Sequence, residues 1–367
     1  MDIIAAVARR PHAPLSLETL QIESPRPGEI LVRVVATGIC HTDLGMRDQH
    51  LPTPQPAVLG HEGAGVVEQV GAGVSKVKAG DHVVMTYNSC GHCPSCYDGQ
   101  ATYCHEFFAR NFLGTRPDGS SGLSKDGELV HGNVFGQSSF ASYALCHERN
   151  IVRVPLDAPL ELLGPLACGI QTGAGAVLNA LEVRPGKSFA VFGAGSVGMA
   201  AIMAARLAGA TTIVAVDVNE QRVRLALELG ATHSFAAQNG NVVEAIMQVD
   251  GGVDYCLDTT GIAAVVEQAV QVLAPRGICG IVGASLPGTT VQLDLLHLMT
   301  AGRHVRGIVE GDADPESFIP ALIRLYQQGR FPFDRLVKFY TFDQINQAAD
   351  DAEQGRVLKP IVRQIAN

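Results

Sequence analysis

The pattern of apolar and polar positions changes character along the chain. Up to about residue 150, short β-branched runs at 29–36, 65–70 and 81–85 are bounded by Gly, Pro and Asp. Such runs predict short strands and turns, and no long amphipathic helix stands out among them. From about residue 187 the pattern alternates. Strands are predicted at 188–192, 212–217, 233–236, 253–258 and 277–283, with helices at 196–208, 219–229, 242–249 and 263–273 between them. Apolar strands separated by helices imply βαβ crossovers and a parallel sheet covered on both faces. Beyond residue 310 a helix is expected at 315–328, with Phe318, Ile319, Leu322, Leu325 and Tyr326 on one face and Pro315 in its first turn. A strand at 337–340, a helix near 343–353 and a strand at 360–364 follow. The expected class is α/β: a β-rich domain, an inserted doubly wound domain, and a return to the first.

Composition agrees with two domains. The chain has 367 residues, 47% hydrophobic and 17% charged, enough to bury sizeable cores. Its net charge of −9, with no Lys/Arg-rich block, argues against a broad nucleic-acid surface. Two uncharged stretches, 162–181 and 188–205, are broken by glycines, and the first also holds Pro165, Gln171 and Asn179. Neither suits a lipid-facing helix. The first fifteen residues lack a long apolar segment and meet Arg9 and Arg10 early, so they do not read as a signal peptide, and a cytoplasmic location is expected. Nine cysteines in a reducing compartment argue against a disulfide framework.

Residues 192–198, Phe-Gly-Ala-Gly-Ser-Val-Gly, follow an apolar strand and open a helix. A glycine pattern of this kind is weak alone, but strand and helix are both in place. Gly193 permits the tight turn, Gly195 lets backbone approach a pyrophosphate, and Gly198 lets helix and strand pack closely. The helix N-terminus then offers free N–H groups to phosphate. Asp217 ends the second strand of this unit, nineteen residues past Gly198. An acid there accepts from ribose hydroxyls and repels a 2′-phosphate, favouring NAD over NADP. Arg222 is expected on the adenosine side. The competing reading is a tight turn with no ligand.

Cys90, Cys93, Cys96 and Cys104 put four thiolates within fifteen residues. Four thiolates suit a closed tetrahedral zinc site, which is structural because no position is left for substrate. An iron–sulfur cluster is the rival, though the bacterial ferredoxin run spaces its last cysteine differently. His92 and His105 are expected to be solvated, and Cys146, Cys256 and Cys279 to be packing residues. A dispersed set, Cys40, His61 and Cys168, matches the three-ligand sets of catalytic zinc sites. Asp43 can receive the imidazole N–H of His61 and fix its tautomer. Glu62 can tune or enter the metal shell, or form a buried ion pair; both readings stand.

With these motifs in this order, the chain resembles the zinc-containing alcohol dehydrogenases of the medium-chain dehydrogenase family from end to end. The likeness rests on Gly60-His61-Glu62 with Gly65, the four-cysteine lobe, Cys168-Gly169 with Thr172-Gly173, and the Gly193–Gly198 turn. It implies a GroES-like β domain over 1–169 and 309–367 and a Rossmann domain over 170–308. It implies catalytic zinc on Cys40, His61 and Cys168, and structural zinc on the four clustered cysteines. Thr42 would stand beside the reacting oxygen, with His41 and Lys359 near the cofactor pyrophosphate; Val197 and Thr172 join the cofactor contacts. Within the family it is most similar to bacterial aryl-alcohol dehydrogenases, at 106–112, 136–141, 161–166 and 318–340. Many liver-type relatives carry a histidine where Gly45 stands, so a proton relay through that position is not available here.

The resemblance implies reversible, NAD-linked oxidation of aromatic primary alcohols to aldehydes. An apolar pocket would be lined by Leu51, Tyr87, Val134, Phe135 and Ile308, and a homo-oligomer, tetramer or dimer, is expected. No membrane or nucleic-acid partner is expected. The alternatives are a glutathione-adduct or general aliphatic alcohol dehydrogenase, and, outside enzymes, a structural protein that retains a nucleotide fold.

Overall fold

The computed structural model describes residues 1–364. The chain forms two compact units. One comprises Met1–Cys168, Asp314–Arg324 and the chain from Asp334; the other comprises Gly169–Ala313 and Leu325–Phe333.

The first unit is built on two sheets. In the five-stranded one, Asp2–Ala8 and Ser16–Ile22 pair antiparallel, flanked by Ala57–Val58 and by the hairpin Leu123–Lys125/Glu128–Val130. The seven-stranded sheet is organised by its longest central strand, Glu29–Gly38, which pairs with Glu62–Val70, Tyr143–His147 and Lys359–Arg363. Its register sets Gly38 opposite both Glu62 and Ile361. The end of this strand therefore brings together segments that are far apart in sequence. A Cβ at Gly38 would lie 2.0 Å from Glu62 Oε2, so only glycine fits there. Alternation along Glu29–Gly38 buries Ile30, Val32 and Val34 against Val67, Val83, Met85 and Cys146 in a small core of their own.

The second unit is a six-stranded, all-parallel sheet. Its spatial order is His233–Ala236, Thr212–Asp217, Ser188–Phe192, Val253–Asp258, Leu273–Ile281 and His304–Gly307. In chain order this is third, second, first, fourth, fifth, sixth, the order of a doubly wound Rossmann sheet. The first four strands fall where the apolar runs put them, and all five residues of Ser188–Phe192 are buried. The helices Ser196–Leu207, Glu220–Leu229, Val242–Asp250 and Ala263–Gln271 alternate with the strands. Asn219, expected inside the helix, caps it instead: its Oδ1 accepts from the N–H groups of Gln221 and Arg222.

Several expectations need correction. The strand expected at 277–283 runs from Leu273 to Ile281. On the helix Pro315–Gln327 the buried residues are Ile319, Leu322 and Ile323, while Phe318, Leu325 and Tyr326 are half-buried. A helix at Gly169–Gly175, continued by a π-helical segment at Ala176–Ala180, was not anticipated. Among the described residues no helix is long and apolar enough to cross a membrane.

Candidate active site

The strand Glu29–Gly38 delivers the chain to Cys40, the N-cap of the helix His41–Arg47. Asp43, in the first turn, is fully buried and organises the site. Its Oδ2 accepts from the Cys40 backbone N–H at 3.0 Å, and its Oδ1 accepts from the Gly60 N–H at 3.0 Å and from His61 Nδ1 at 2.8 Å. An ionised carboxylate can only accept, so Nδ1 carries the proton and Nε2 is left as the ligand atom. That nitrogen lies 3.3 Å from Cys168 Sγ.

One ligand atom each from Cys40, His61, Glu62 and Cys168 lies within 4.8 Å of the others. Tetrahedral zinc with bonds of roughly 2.1–2.3 Å needs ligand separations of about 3.6–3.8 Å, and this donor set fits one. The electrostatics fit as well. Burial works against an imidazolium at His61, but Asp43 and Cys40 together outweigh it and raise the pKa well above the ordinary value; the Asp43 carboxylate equally favours a cation on the ring's far side. The Cys40 thiol is pulled well below its usual range, first by its hydrogen bond with Cys168, with Lys359 and His61 adding to it against the opposing effect of burial.

Glu62 is buried and paired. Lys359 Nζ donates to Glu62 Oε1 at 2.7 Å, to Oε2 at 2.9 Å and to the Ile39 carbonyl at 3.3 Å. Burial pushes the Glu62 carboxyl up, with Lys359 pulling against it. For Lys359 burial opposes the charge, but Glu62 and Cys40 outweigh it and leave the pKa raised. The pair and the Ile39 carbonyl together engage the Lys359 ammonium, whose side chain is 2% exposed. His41 is exposed beside the site and Thr42 half-buried. A side chain at Gly45 would point at Leu51 and His50.

The cysteine lobe also fits a metal. Cys90, Cys93, Cys96 and Cys104 have their sulfurs within 4.8 Å of one another, with Cys90 and Cys96 3.9 Å apart. The backbone N–H groups of Cys90, His92, Cys93 and Glu106 point at Cys104 or Cys90 sulfur at 3.2–3.4 Å, the donors a thiolate cluster requires. His92 and His105 are exposed.

In the second unit the glycine turn has the expected shape. Gly193 takes φ 94°, and a Cβ on Gly198 would lie 1.9 Å from the Gly193 carbonyl oxygen. Around Gly195 the space a Cβ would fill is open. A ligand's backbone contact requires that opening. Val197 is half-buried in the first turn of the helix. Asp217 accepts from Ala194 N at 2.7 Å and Asn219 N at 2.8 Å, and Arg222 Nη1 lies 3.7 Å from it. Thr172 Oγ1 donates to Glu310 Oε2 at 3.3 Å, beside Gln171 Nε2 at 3.1 Å. Glu310, buried with a left-handed backbone (φ 51°), had no sequence signal.

Of the expected pocket residues, four belong to one cluster in the first unit: Tyr87, Val134 and Phe135 are buried and Leu51 half-buried. Val134 has no exposed surface, so it is core rather than wall. Phe135 stacks on the His61 ring, centroids 4.5 Å apart, and Phe107 and Phe112 surround it at 6.5 and 5.2 Å. Ile308 belongs to the second unit, where its side chain packs over Gly280.

Comparison with known proteins agrees with this picture. Residues 26–156 match the alcohol dehydrogenase GroES-like domain and residues 196–328 the zinc-binding dehydrogenase family. A geraniol dehydrogenase from Castellaniella defragrans is 46% identical over 98% of this chain and 96% of its own length. The crystal structure of benzyl alcohol dehydrogenase from Acinetobacter calcoaceticus superposes with a TM-score of 0.97 at 50% identity, and that of an alcohol dehydrogenase zinc-binding domain protein from Burkholderia ambifaria with 0.98 at 58%; both comparisons cover 100% of each chain. Fold, donor sets and end-to-end similarity thus agree, and the chain belongs to the zinc-dependent alcohol dehydrogenases of the medium-chain dehydrogenase family.

Proposed function

We propose that the protein oxidises aromatic primary alcohols of the benzyl type to aldehydes, reversibly and with NAD. Catalytic zinc is held by Cys40, His61 and Cys168, and structural zinc by Cys90, Cys93, Cys96 and Cys104. The observation that carries this reading is Phe135 stacked on the ligand His61 within an aromatic cluster, an apolar surface directly beside the donor set. The two bound groups supply what side chains lack: Lewis acidity at the alcohol oxygen and a hydride acceptor. Thr42 Oγ1, two residues beyond Cys40, takes the alcohol proton and passes it to solvent through exposed His41. Asp43 keeps the His61 tautomer fixed, and the Glu62–Lys359 pair sets the charge behind the site. Asp217 binds the ribose hydroxyls and disfavours a 2′-phosphate. Arg222, Thr172, Val197 and the three glycines complete the cofactor contacts.

A benzyl ring buries roughly 100 Å² more apolar surface than the methyl of ethanol, worth about 2.5 kcal/mol at about 25 cal/mol per Å². Imperfect fit reduces this, so benzyl alcohol should exceed ethanol by about one to two powers of ten in kcat/KM. A second reading, an allylic terpenoid alcohol, is favoured by the likeness to a geraniol dehydrogenase. Steady-state kinetics with benzyl alcohol, geraniol and ethanol, each with NAD and NADP, tests both. Equal kcat/KM for benzyl alcohol and ethanol would reject the aryl assignment, and equal use of the two cofactors would reject the role of Asp217.

A further inference from the structure

A run of left-handed backbone crosses the first unit close to the donor set. Asn133 (φ 75°), Phe135 (49°), Gly136 (65°) and Ser138 (55°) all lie in this region, and three of the four are not glycine. Such conformations persist only where the surroundings over-determine them. Here they turn the side chain of Gln137, 1% exposed, into the interior. Gln137 Oε1 accepts from the Gly63 N–H at 3.0 Å, while Nε2 donates to the His61 carbonyl at 2.9 Å and to the Met85 carbonyl at 3.0 Å. One amide thus grips the backbone on both sides of Glu62 and joins it to the end of the strand His82–Met85. The next residue continues the connection: Thr86 Oγ1 donates to the carbonyl of Ala167 at 3.1 Å, the residue before Cys168.

An unbroken path therefore runs from the His61 backbone through Gln137 and residues 85–86 to the Cys168 segment. Asp43 makes the corresponding connection between Cys40 and His61. We propose that Gln137 and Thr86 are positioning residues that fix the separation of His61 and Cys168 and thereby the hold of this site on its metal. The inference rests on the reading that Cys40, His61 and Cys168 carry the catalytic ion. A ligand set that drifts by a fraction of an ångström loses affinity even when the fold survives. Groups that orient metal ligands from behind typically carry about 10–100-fold in affinity or activity.

The test compares Thr86→Val, which removes the hydroxyl at nearly constant volume, with Thr86→Ser, which keeps it, and with Gln137→Met. Zinc release from the holoenzyme to a chelator is followed under native conditions, together with the visible absorption of the cobalt-substituted enzyme. Thr86→Val and Gln137→Met should release the ion that Cys40→Ser fails to hold about tenfold faster and shift the cobalt bands, with the other ion unaffected; Thr86→Ser should behave as wild type. Wild-type release and spectrum in Thr86→Val, or Thr86→Ser as impaired as Thr86→Val, would overturn the proposal. Should Thr86→Val not fold, Gln137→Met is read against the same criteria. Cys40→Ser separates the two readings: if it leaves the zinc content at the wild-type value, the metal assignment itself fails and this inference falls with it.

Discussion

At the residue scale the site depends on a few buried charges whose partners lie far away in sequence. Glu62 and Lys359 are 297 positions apart, and no local pattern could have joined them. The sequence left two readings for Glu62, and the structure has the carboxylate in the ion pair while keeping it within reach of the donor set. Removing one partner of such a pair strands the other charge without water, which costs about 3–5 kcal/mol, whereas removing both is far milder. Lys359→Met should therefore lower the thermal midpoint, and the double change Lys359→Met/Glu62→Gln should recover much of the loss. Melting curves of both variants decide it; a wild-type curve for Lys359→Met would mean that the pair contributes nothing. The histidine–aspartate contact was legible because Asp43 follows Cys40 by three residues, a spacing that returns its carboxylate to the start of its own helix. Gln137 was not legible, because a lone glutamine between small residues carries no pattern and its partners exist only in the folded chain.

At the scale of elements, legibility followed burial. A parallel strand covered on both faces is a continuous apolar run, and Ser188–Phe192 and Thr212–Asp217 were readable for that reason, whereas the exposed edge strand His304–Gly307 was not. The helix Gly169–Gly175 was hidden because three of its seven residues are glycine and none is charged, leaving no periodicity to detect. The edge sheet of the first unit shows another determinant. Glu18, on the strand Ser16–Ile22, receives Arg9 from beyond the neighbouring strand and Lys125 from the strand on its other side, at 2.6 Å for Lys125. Hydrogen bonding to Arg9, with Lys125 adding to it against partial burial, pulls the carboxyl down to about 2. A group whose pKa is depressed on folding stabilises above its ordinary value, and the contribution is lost as pH falls from the ordinary value toward the depressed one. Wild type should therefore be more stable than Glu18→Gln at about pH 7, and the difference should vanish near pH 2. It should also shrink in high salt, since Arg9 is partly exposed. Unfolding midpoints of the two proteins across that range provide the check; a constant difference would refute it.

At the scale of the whole molecule, the class of fold and the grouping of both donor sets followed from the sequence. Metal ligands announce themselves by residue type and spacing. Pocket walls draw on the same residue types as ordinary core, so spacing alone does not separate Val134, which has no exposed surface, from its neighbour Phe135, which stacks on His61. The two donor sets differ in a way that bears on how the chain is assembled. The cysteines of the lobe span Cys90 to Cys104, fourteen positions, whereas Cys40 and Cys168 stand 128 positions apart. Closing the longer loop costs about 2 kcal/mol more in chain entropy, and it also requires the sheet between its ends to be in register. The lobe can capture an ion while most of the first unit is still unformed; the dispersed set can do so only once that unit is complete. When unfolded chain is returned to native conditions with one equivalent of zinc, the ion should be found in the lobe, giving a folded but inactive protein that a second equivalent activates. Activity rising in proportion from the first equivalent would show the opposite order. Scarcity of the metal during synthesis would thus spare the architecture and silence the chemistry, leaving a reserve of finished molecules that wait only for an ion.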